Sequence, residues 1–180
     1  MHDVIQGAGM GLFKKLKQGL GMGTVKVAVS VPAQVSAGGG PIEGSMTITA
    51  ESDQKILSVS AVFERVFSYT KLSSYTDSDG NTHDTWSDNT HRETLATWED
   101  TTGFAMAEGE AKQFVFSLAY APMEETYTTG LGSKLWTFLP SNWMPGKDYM
   151  GGDIVYVVRA VVDIADAAFD KEDEQVVQVG

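Results

Sequence analysis

Apolar and polar side chains alternate with a period of two over most of this chain, beginning at Thr24. The first such run places four valines on one side of an extended segment: Val25, Val27, Val29 and Val31. Residues 56–69 and 154–164 show the same alternation over longer stretches. Successive side chains of a β-strand point to opposite faces, so this period is typical of strands that bury one face. The pattern predicts an all-β fold.

Turn-forming residues separate the predicted strands. They include the Gly-Gly-Gly-Pro sequence of residues 38–41, the Asp-Ser-Asp-Gly-Asn sequence of residues 77–81, and Gly109-Glu110. Seven or eight strands without intervening helical periods predict two packed antiparallel sheets, an immunoglobulin-like sandwich over residues 24–180. Within it, residues 121–152 are irregular and rich in Gly, Pro and aromatic residues, and the sequence assigns them no role.

Residues 1–23 differ from the rest, because they are rich in glycine and contain one short amphipathic helical pattern. Its apolar side consists of Leu12, Phe13 and Leu16 (with Leu20), and its basic side of Lys14, Lys15 and Lys17. Such a helix could dock on the sandwich or lie on an anionic membrane surface, where its shortness would make binding weak. Docking on the sandwich is the favoured interpretation and the membrane role is the alternative, and the six residues from 12 to 17 are candidate contacts with a partner or membrane.

Composition restricts the class of protein. The chain has 180 residues, 42% of them apolar, which is enough for one sizeable core. It has no cysteine, no long apolar run and no signal-peptide pattern, so we expect a soluble cytoplasmic protein. The net charge of −11 disfavours nucleic acid as a ligand, since phosphate contacts require clustered Lys and Arg.

The sequence contains few residues in the arrangements that catalysis or metal binding requires. His2, His83 and His91 are the only histidines, and none stands beside a nucleophile motif or a phosphate-binding loop. We therefore expect a non-enzyme with no catalytic residues and no cofactor. Residues 77–81 alternate oxygen-bearing side chains around Gly80, as the first half of a calcium loop does, but the closing glutamate is missing. A tight hairpin turn with positive φ at both central residues is the favoured interpretation, and no metal site is predicted.

Arg65 is the charged residue with the most consequence for the core. In an unbulged strand it shares a face with Val59, Phe63 and Phe67, where a guanidinium requires a charged partner. Asp163 and Asp166, near the end of the chain, are the candidate partners for a buried ion pair. The alternatives are a β-bulge that turns Arg65 toward solvent and a sheet face that becomes polar at its end.

Several short motifs together resemble the bacterial arrestin-like sporulation-control proteins. They are Phe13-Lys14-Lys15 with Gly21-Met22-Gly23, the strands at residues 25–31, 46–50 and 58–67, the turn and strand at residues 109–118 before Pro122, and the aspartate-rich segment 162–173. The resemblance extends over nearly the whole chain. It departs from the family at two places. Residues 120–153 are an insertion or a local variant, and the sequence stops at Gly180, where family members usually continue into a second sandwich.

The resemblance implies an arrestin-type N-terminal sandwich that acts as a non-catalytic adaptor or scaffold through contacts with a protein partner. It also implies a role in regulating sporulation or a related stress or developmental pathway. Two alternatives come from the residues themselves. One is a peripheral membrane module that uses the basic helix. The other is a self-assembling sandwich that forms homo-oligomers through edge strands at residues 25–31 or 176–179.

Overall fold

The computed structural model of the protein describes residues 24–123 and 149–180, and the side chains of all these except residues 149–153. The predicted N-terminal helix, with candidate contacts Leu12, Phe13, Lys14, Lys15, Leu16 and Lys17, lies outside the described residues. Most of the irregular segment 121–152 lies outside them as well.

The described residues form strands connected by turns and loops, which confirms the all-β prediction. The strands are β1 (Val25–Ser30), β2 (Gln34–Val35), β3 (Gly40–Ala50), β4 (Gln54–Thr76), β5 (Thr82–Asp100), β6 (Phe104–Met106), β7 (Ala111–Tyr120), β8 (Tyr149–Ile164) and β9 (Lys171–Val179).

Two sheets contain these strands. The smaller has the order β1-β3-β7, and the larger has the order β2-β9-β8-β4-β5, with β6 paired to one end of β4. Every pairing is antiparallel except that of β2 with β9, in which Val35 lies opposite Val179. The antiparallel prediction therefore describes the main ladders and misses this short parallel edge.

The two sheets pack face to face around a single apolar core. Side chains at alternate positions of both inner faces are buried: Ile42, Met46, Ile48, Phe116 and Leu118 from β3 and β7, and Ile56, Val59, Phe63, Val158 and Val162 from β4 and β8. Trp98 of β5 lies with its ring centroid 6.0 Å from that of Phe116, so aromatic packing closes one side of the sandwich. The period of two in the sequence thus reports burial between the sheets.

Strands β4 and β5 are the two longest of the described strands, with 23 and 19 residues, followed by β8 with 16. Lys71 lies opposite Tyr149, the first residue of β8. Beyond that point, the only described strand that pairs with β4 is β5, from Leu72↔Trp86 to Thr76↔Thr82. We call residues 72–86 the arm. Among the described strands, it extends beyond the end of β8 by five residues of each of its own strands, or roughly 16 Å, before the turn at residues 77–81.

The turn of the arm differs in detail from the expected two-residue hairpin. Gly80 has a φ of 86°, whereas Asp79 is not among the residues with positive φ. The backbone N–H of Gly80 donates to the carbonyl of Asp77 at 3.1 Å, and the N–H of Asp77 donates to the carbonyl of Asn81 at 2.9 Å. This is a type I turn followed by a left-handed glycine, a connection that needs positive φ only once.

Strand edges of the sandwich are closed at two places. The outward N–H of Val29 in β1 donates to Oδ2 of Asp173 at 2.8 Å, and Gln175 of β9 exchanges two hydrogen bonds with the backbone of Val31. On β9 itself, the N–H of Gln178 donates to the carbonyl of Ala33 at 2.8 Å, next to the pairing with β2. Both edges named as candidates for self-assembly therefore have bonding partners within the chain.

We expect the double substitution Asp173→Ala and Gln175→Ala to expose the edge of β1. Three bonds to backbone groups are lost, each at a cost of about 1 kcal/mol, so the free energy of unfolding should fall by about 3 kcal/mol. Light scattering over a concentration series should show stronger association of this variant than of the unmodified chain, because unpaired edge groups can pair with another chain. Equal scattering by the two proteins would contradict a protective role for these side chains.

Candidate functional site

The carboxylate of Asp77 accepts hydrogen bonds from the backbone of its own turn, residues 77–81, and from the ring of His83. Oδ1 of Asp77 accepts from the backbone N–H groups of Asp79 at 3.0 Å and Asn81 at 2.9 Å, and Oδ2 accepts from Nε2 of His83 at 2.8 Å. The hydrogen bond from His83, followed by that from the backbone of Asn81, holds the pKa of Asp77 below its usual value. These contacts give Asp77 the role of a turn residue. Within the described ranges, no three His, Cys, Asp or Glu side chains are grouped to hold a metal ion.

The arm exposes two large aromatic side chains, one on each of its faces. Tyr75 is 61% exposed and stacks on His83, with ring centroids 5.0 Å apart. Trp86 is 44% exposed and lies opposite Leu72 on the other face. Aromatic side chains that remain accessible on a projecting element are typical of recognition surfaces.

Carboxylates accompany these aromatic residues. Asp84 accepts a hydrogen bond from the hydroxyl of Ser74, and Asp88, just below the arm, accepts one from Thr70 at 3.2 Å. Asp77 and Asp79 lie in the turn. Asp79, Asp84 and Asp88 are exposed and Asp77 is half-buried, so the arm and the residues just below it present negative charge beside the aromatic groups.

Arg65 lies on the core face of β4, as its position in the alternation indicates, and its side chain is 14% exposed. Its Nε donates to Oε2 of Glu93 at 2.8 Å, and Nη2 contacts the same oxygen. On β8, Tyr156 lies opposite Arg65, whereas Asp163 lies opposite Ser58, seven residues and roughly 23 Å farther along the strand. Asp166 follows β8 in a turn, with a φ of 62°. The structure thus places Arg65 with Glu93 and away from both predicted partners.

A cavity of about 220 Å³ adjoins Arg65. It is lined by Arg65, Leu95, Tyr120, Ala121, Pro122, Met123 and Tyr156. Burial raises the pKa of Tyr156, and the charge and hydrogen bond of Arg65 oppose that effect. The hydroxyl of Tyr120 donates to the carbonyl of Ser36 at 2.6 Å, which anchors one wall. The cavity combines an engaged guanidinium with phenol rings and contains no nucleophile–base pair among its lining residues.

Sequence reasoning missed a charge cluster on the outer face of the larger sheet. At its centre, Glu64 of β4 is almost fully buried and accepts hydrogen bonds from Nη1 of Arg92 at 2.9 Å and from Nη2 of Arg159 at 2.9 Å. Arg92 also reaches Glu174 at 3.2 Å, and Arg159 reaches Glu172 at 3.0 Å. Burial raises the pKa of Glu64, but the bonds and charges of the two arginines outweigh it and leave that pKa below its usual value. Alternation alone assigns Glu64 to a solvated face.

The fold and these sites define an all-β sandwich protein with an arm that exposes two aromatic side chains, Tyr75 and Trp86. No helix in the described parts of the chain is long and apolar enough to cross a membrane.

Comparisons with known proteins do not define the class of this protein more narrowly. No protein-family model matches the chain, and no curated protein matches its sequence. Among solved structures, the chain is similar to the crystal structure of Spo0M, a sporulation control protein from Bacillus subtilis, with 16% identity and a TM-score of 0.48. The match covers 88% of this chain and 50% of that one, so this chain spans about half the length of Spo0M. A likeness at this level carries no argument about function.

Proposed function

We propose that this protein is a non-catalytic adaptor or scaffold domain that acts through protein–protein contacts, and that its arm is the principal contact element. The observation that carries the proposal is the exposure of Tyr75 and Trp86 on a two-stranded projection outside the apolar core.

The energetics of the arm support this function. Ordering the backbone costs about 1–2 kcal/mol per residue, and an isolated two-stranded ribbon is only marginally stable in water. The arm recovers part of this cost through its Tyr75–His83 and Leu72–Trp86 cross-strand pairs. It nevertheless leaves much of both aromatic side chains in water, where contact with a partner would bury them. Tyr and Trp are the residues that most often dominate the binding energy of protein interfaces.

The pathway part of the proposal has a separate basis. It depends on the resemblance of residues 109–118 and 162–173 to sporulation-control proteins, which leads us to propose regulation of sporulation or a related stress or developmental response. We propose that the protein exerts this regulation in the cytoplasm.

Affinity capture from host lysate tests the contact. We expect a double variant with Leu72→Thr and Trp86→Thr to capture its partner at least about tenfold less well than the unmodified chain, since losing one buried aromatic anchor costs more than 1.4 kcal/mol. Threonine favours strands, so the arm should remain paired, which the exchange rates of its backbone amides can verify. Val115→Thr is the matched control, because Val115 is exposed on β7 of the sandwich body.

Two outcomes would contradict the proposal. Undiminished capture by the arm variant would exclude the arm as the contact. Recovery of membranes alone, lost on deletion of residues 1–23, would instead support the membrane module with Leu12, Phe13, Leu16 and the neighbouring lysines as its contacts.

A further inference from the structure

The outer edge of β5 differs from the other edges of the larger sheet. The opposite end of that sheet is covered by β2, and the nearby edge of β1 is occupied by Asp173 and Gln175. In the described part of the chain, by contrast, β5 pairs only with β4 and no strand lies along its other side. From Thr82 to Arg92, β5 contains no proline and no break in its register with β4. Bulges, prolines and charged side chains are the usual protections of an edge strand, and of these three the stretch from Thr82 to Arg92 has only the charged side chains.

The turn geometry determines which backbone groups β5 presents at this edge. Asp77 and Asn81 form a hydrogen-bonded pair. Hydrogen-bonded pairs recur at every second position of an antiparallel ladder, so His83, Thr85 and Ser87 bond to β4. The N–H and C=O groups that point away from β4 then belong to the alternate residues: Thr82, Asp84, Trp86, Asp88, Thr90 and Arg92. These six residues form an extended row of donors and acceptors.

Charge along this row indicates what could pair with it. Asp84 and Asp88 flank Trp86 on the same face of the strand, since successive outward residues share a face. Arg92 already bonds to Glu64 and Glu174. Opposite charges directly across a ladder stabilise a strand pair, and like charges destabilise it. A second copy would bring another acidic β5, from a chain with a net charge of −11, against the first.

We propose that residues 82–92 of β5 receive an extended segment of a partner protein that carries Lys or Arg opposite Asp84 and Asp88 and an apolar side chain opposite Trp86. The added strand would take up the backbone groups of the edge, and its alternate side chains would provide specificity. This inference rests on the proposed adaptor function and names the chemistry of its partner.

A synthetic peptide probe tests the inference on the full chain. The probe is a blocked heptapeptide of threonines with lysine at its second and sixth positions and valine at its fourth, and the matched control peptide has glutamate in place of both lysines. With the lysine peptide at millimolar concentration, we expect amide hydrogen exchange at Asp84, Trp86 and Asp88 to slow about tenfold, as protection by a bound strand requires. The glutamate peptide should leave these rates unchanged.

Two variants at one position separate edge pairing from charge. Asp88→Pro removes an outward N–H without removing a bond to β4, so it should abolish the protection at Trp86. Asp88→Ala retains the N–H and should weaken the protection without abolishing it. Amide exchange at His83 and Thr85 shows whether each variant keeps its pairing with β4. If a variant loses this pairing, the comparison of the two peptides on the unmodified chain still tests the inference.

The outcomes distinguish this inference from the proposed function. Equal exchange with the two peptides, or no slowing with either, would overturn strand addition of a basic segment. Slowing that grows with protein concentration in the absence of peptide would overturn it in favour of pairing between two copies. If Leu72→Thr with Trp86→Thr abolishes capture from lysate while Asp88→Pro captures normally, the arm is a contact element but its edge is not the site.

Discussion

Replacing Glu64 with alanine is expected to lower the free energy of unfolding by about 3 kcal/mol. The carboxylate has only 4% of its side chain exposed and joins Arg92 to Arg159, so its removal leaves two guanidinium groups with one partner each. Breaking a buried ion pair typically costs 3–5 kcal/mol. The lower end applies here, because Arg92 and Arg159 are 40% and 25% exposed and water can solvate them in part. Denaturant unfolding of the two proteins would measure the difference.

The matched control is Glu172→Ala, because Glu172 bonds to Arg159 from the exposed rim of the same cluster. Exposed ion pairs contribute about 0–1 kcal/mol, so this variant should stay close to the unmodified protein. Equal losses at Glu64 and Glu172 would show that the burial of Glu64 has no energetic consequence.

The same cluster predicts a dependence on pH. The pKa of Glu64 lies below its usual value of 4.5, so the stabilisation from its charge is fully present above about pH 4.5 and is lost as pH falls through the lower pKa of the folded protein. The difference in stability between the unmodified protein and Glu64→Gln should therefore be constant near neutral pH and shrink in acid. A difference that stayed constant to pH 2 would contradict this assignment.

Replacing Gly44 with alanine should cost about 2 kcal/mol, within the usual range for overpacking a core. Gly44 of β3 lies opposite Phe116 of β7, whose ring covers it. A Cβ at this position would meet Cε2 and Cζ of Phe116 at 2.5 Å and Cγ1 of Val31 at 2.6 Å. Since Phe116 is buried among close-packed neighbours, its ring cannot move aside without disturbing the core. Thermal or denaturant unfolding would measure this loss.

Gly38→Ala is the control for glycine replacement as such, because a Cβ there meets only Oγ of Ser36 at 3.4 Å. We expect a change of less than about 0.5 kcal/mol for it. Combining Gly44→Ala with Phe116→Leu should cost less than the sum of the two single changes, because the smaller side chain makes room for the new methyl group. Strict additivity would show that the ring and the glycine do not interact.

Part of the ion-pair arrangement could have been derived from sequence. The turn at residues 77–81 predicts a hairpin, and residues equally distant from Asp79 lie opposite each other in it. Arg65 and Glu93 are each fourteen residues from Asp79 and do pair. Asp163 and Asp166 lie outside this hairpin, so its register does not bring either of them to Arg65. The register shift next to Phe63 leaves Arg65 on the face that the alternation predicts, because the extra residue, Leu95, belongs to β5.

The sequence by itself determined the core-facing parts of the main strands, the main turns and the side of each strand that faces the core, because these depend on alternation and turn chemistry along neighbouring residues. It did not predict β2, β6 or the continuation of β4 and β5 into the arm, where apolar and polar side chains do not alternate. Only the tertiary structure decided that Glu64, on the predicted polar face, is buried, since the arginines that cover it come from β5 and β8. It likewise decided that Asp173 and Gln175 close the edge of β1 while β5 has no described strand along its outer side. The physical reason is that burial and edge pairing depend on residues that are distant in sequence, and a local pattern does not contain their positions.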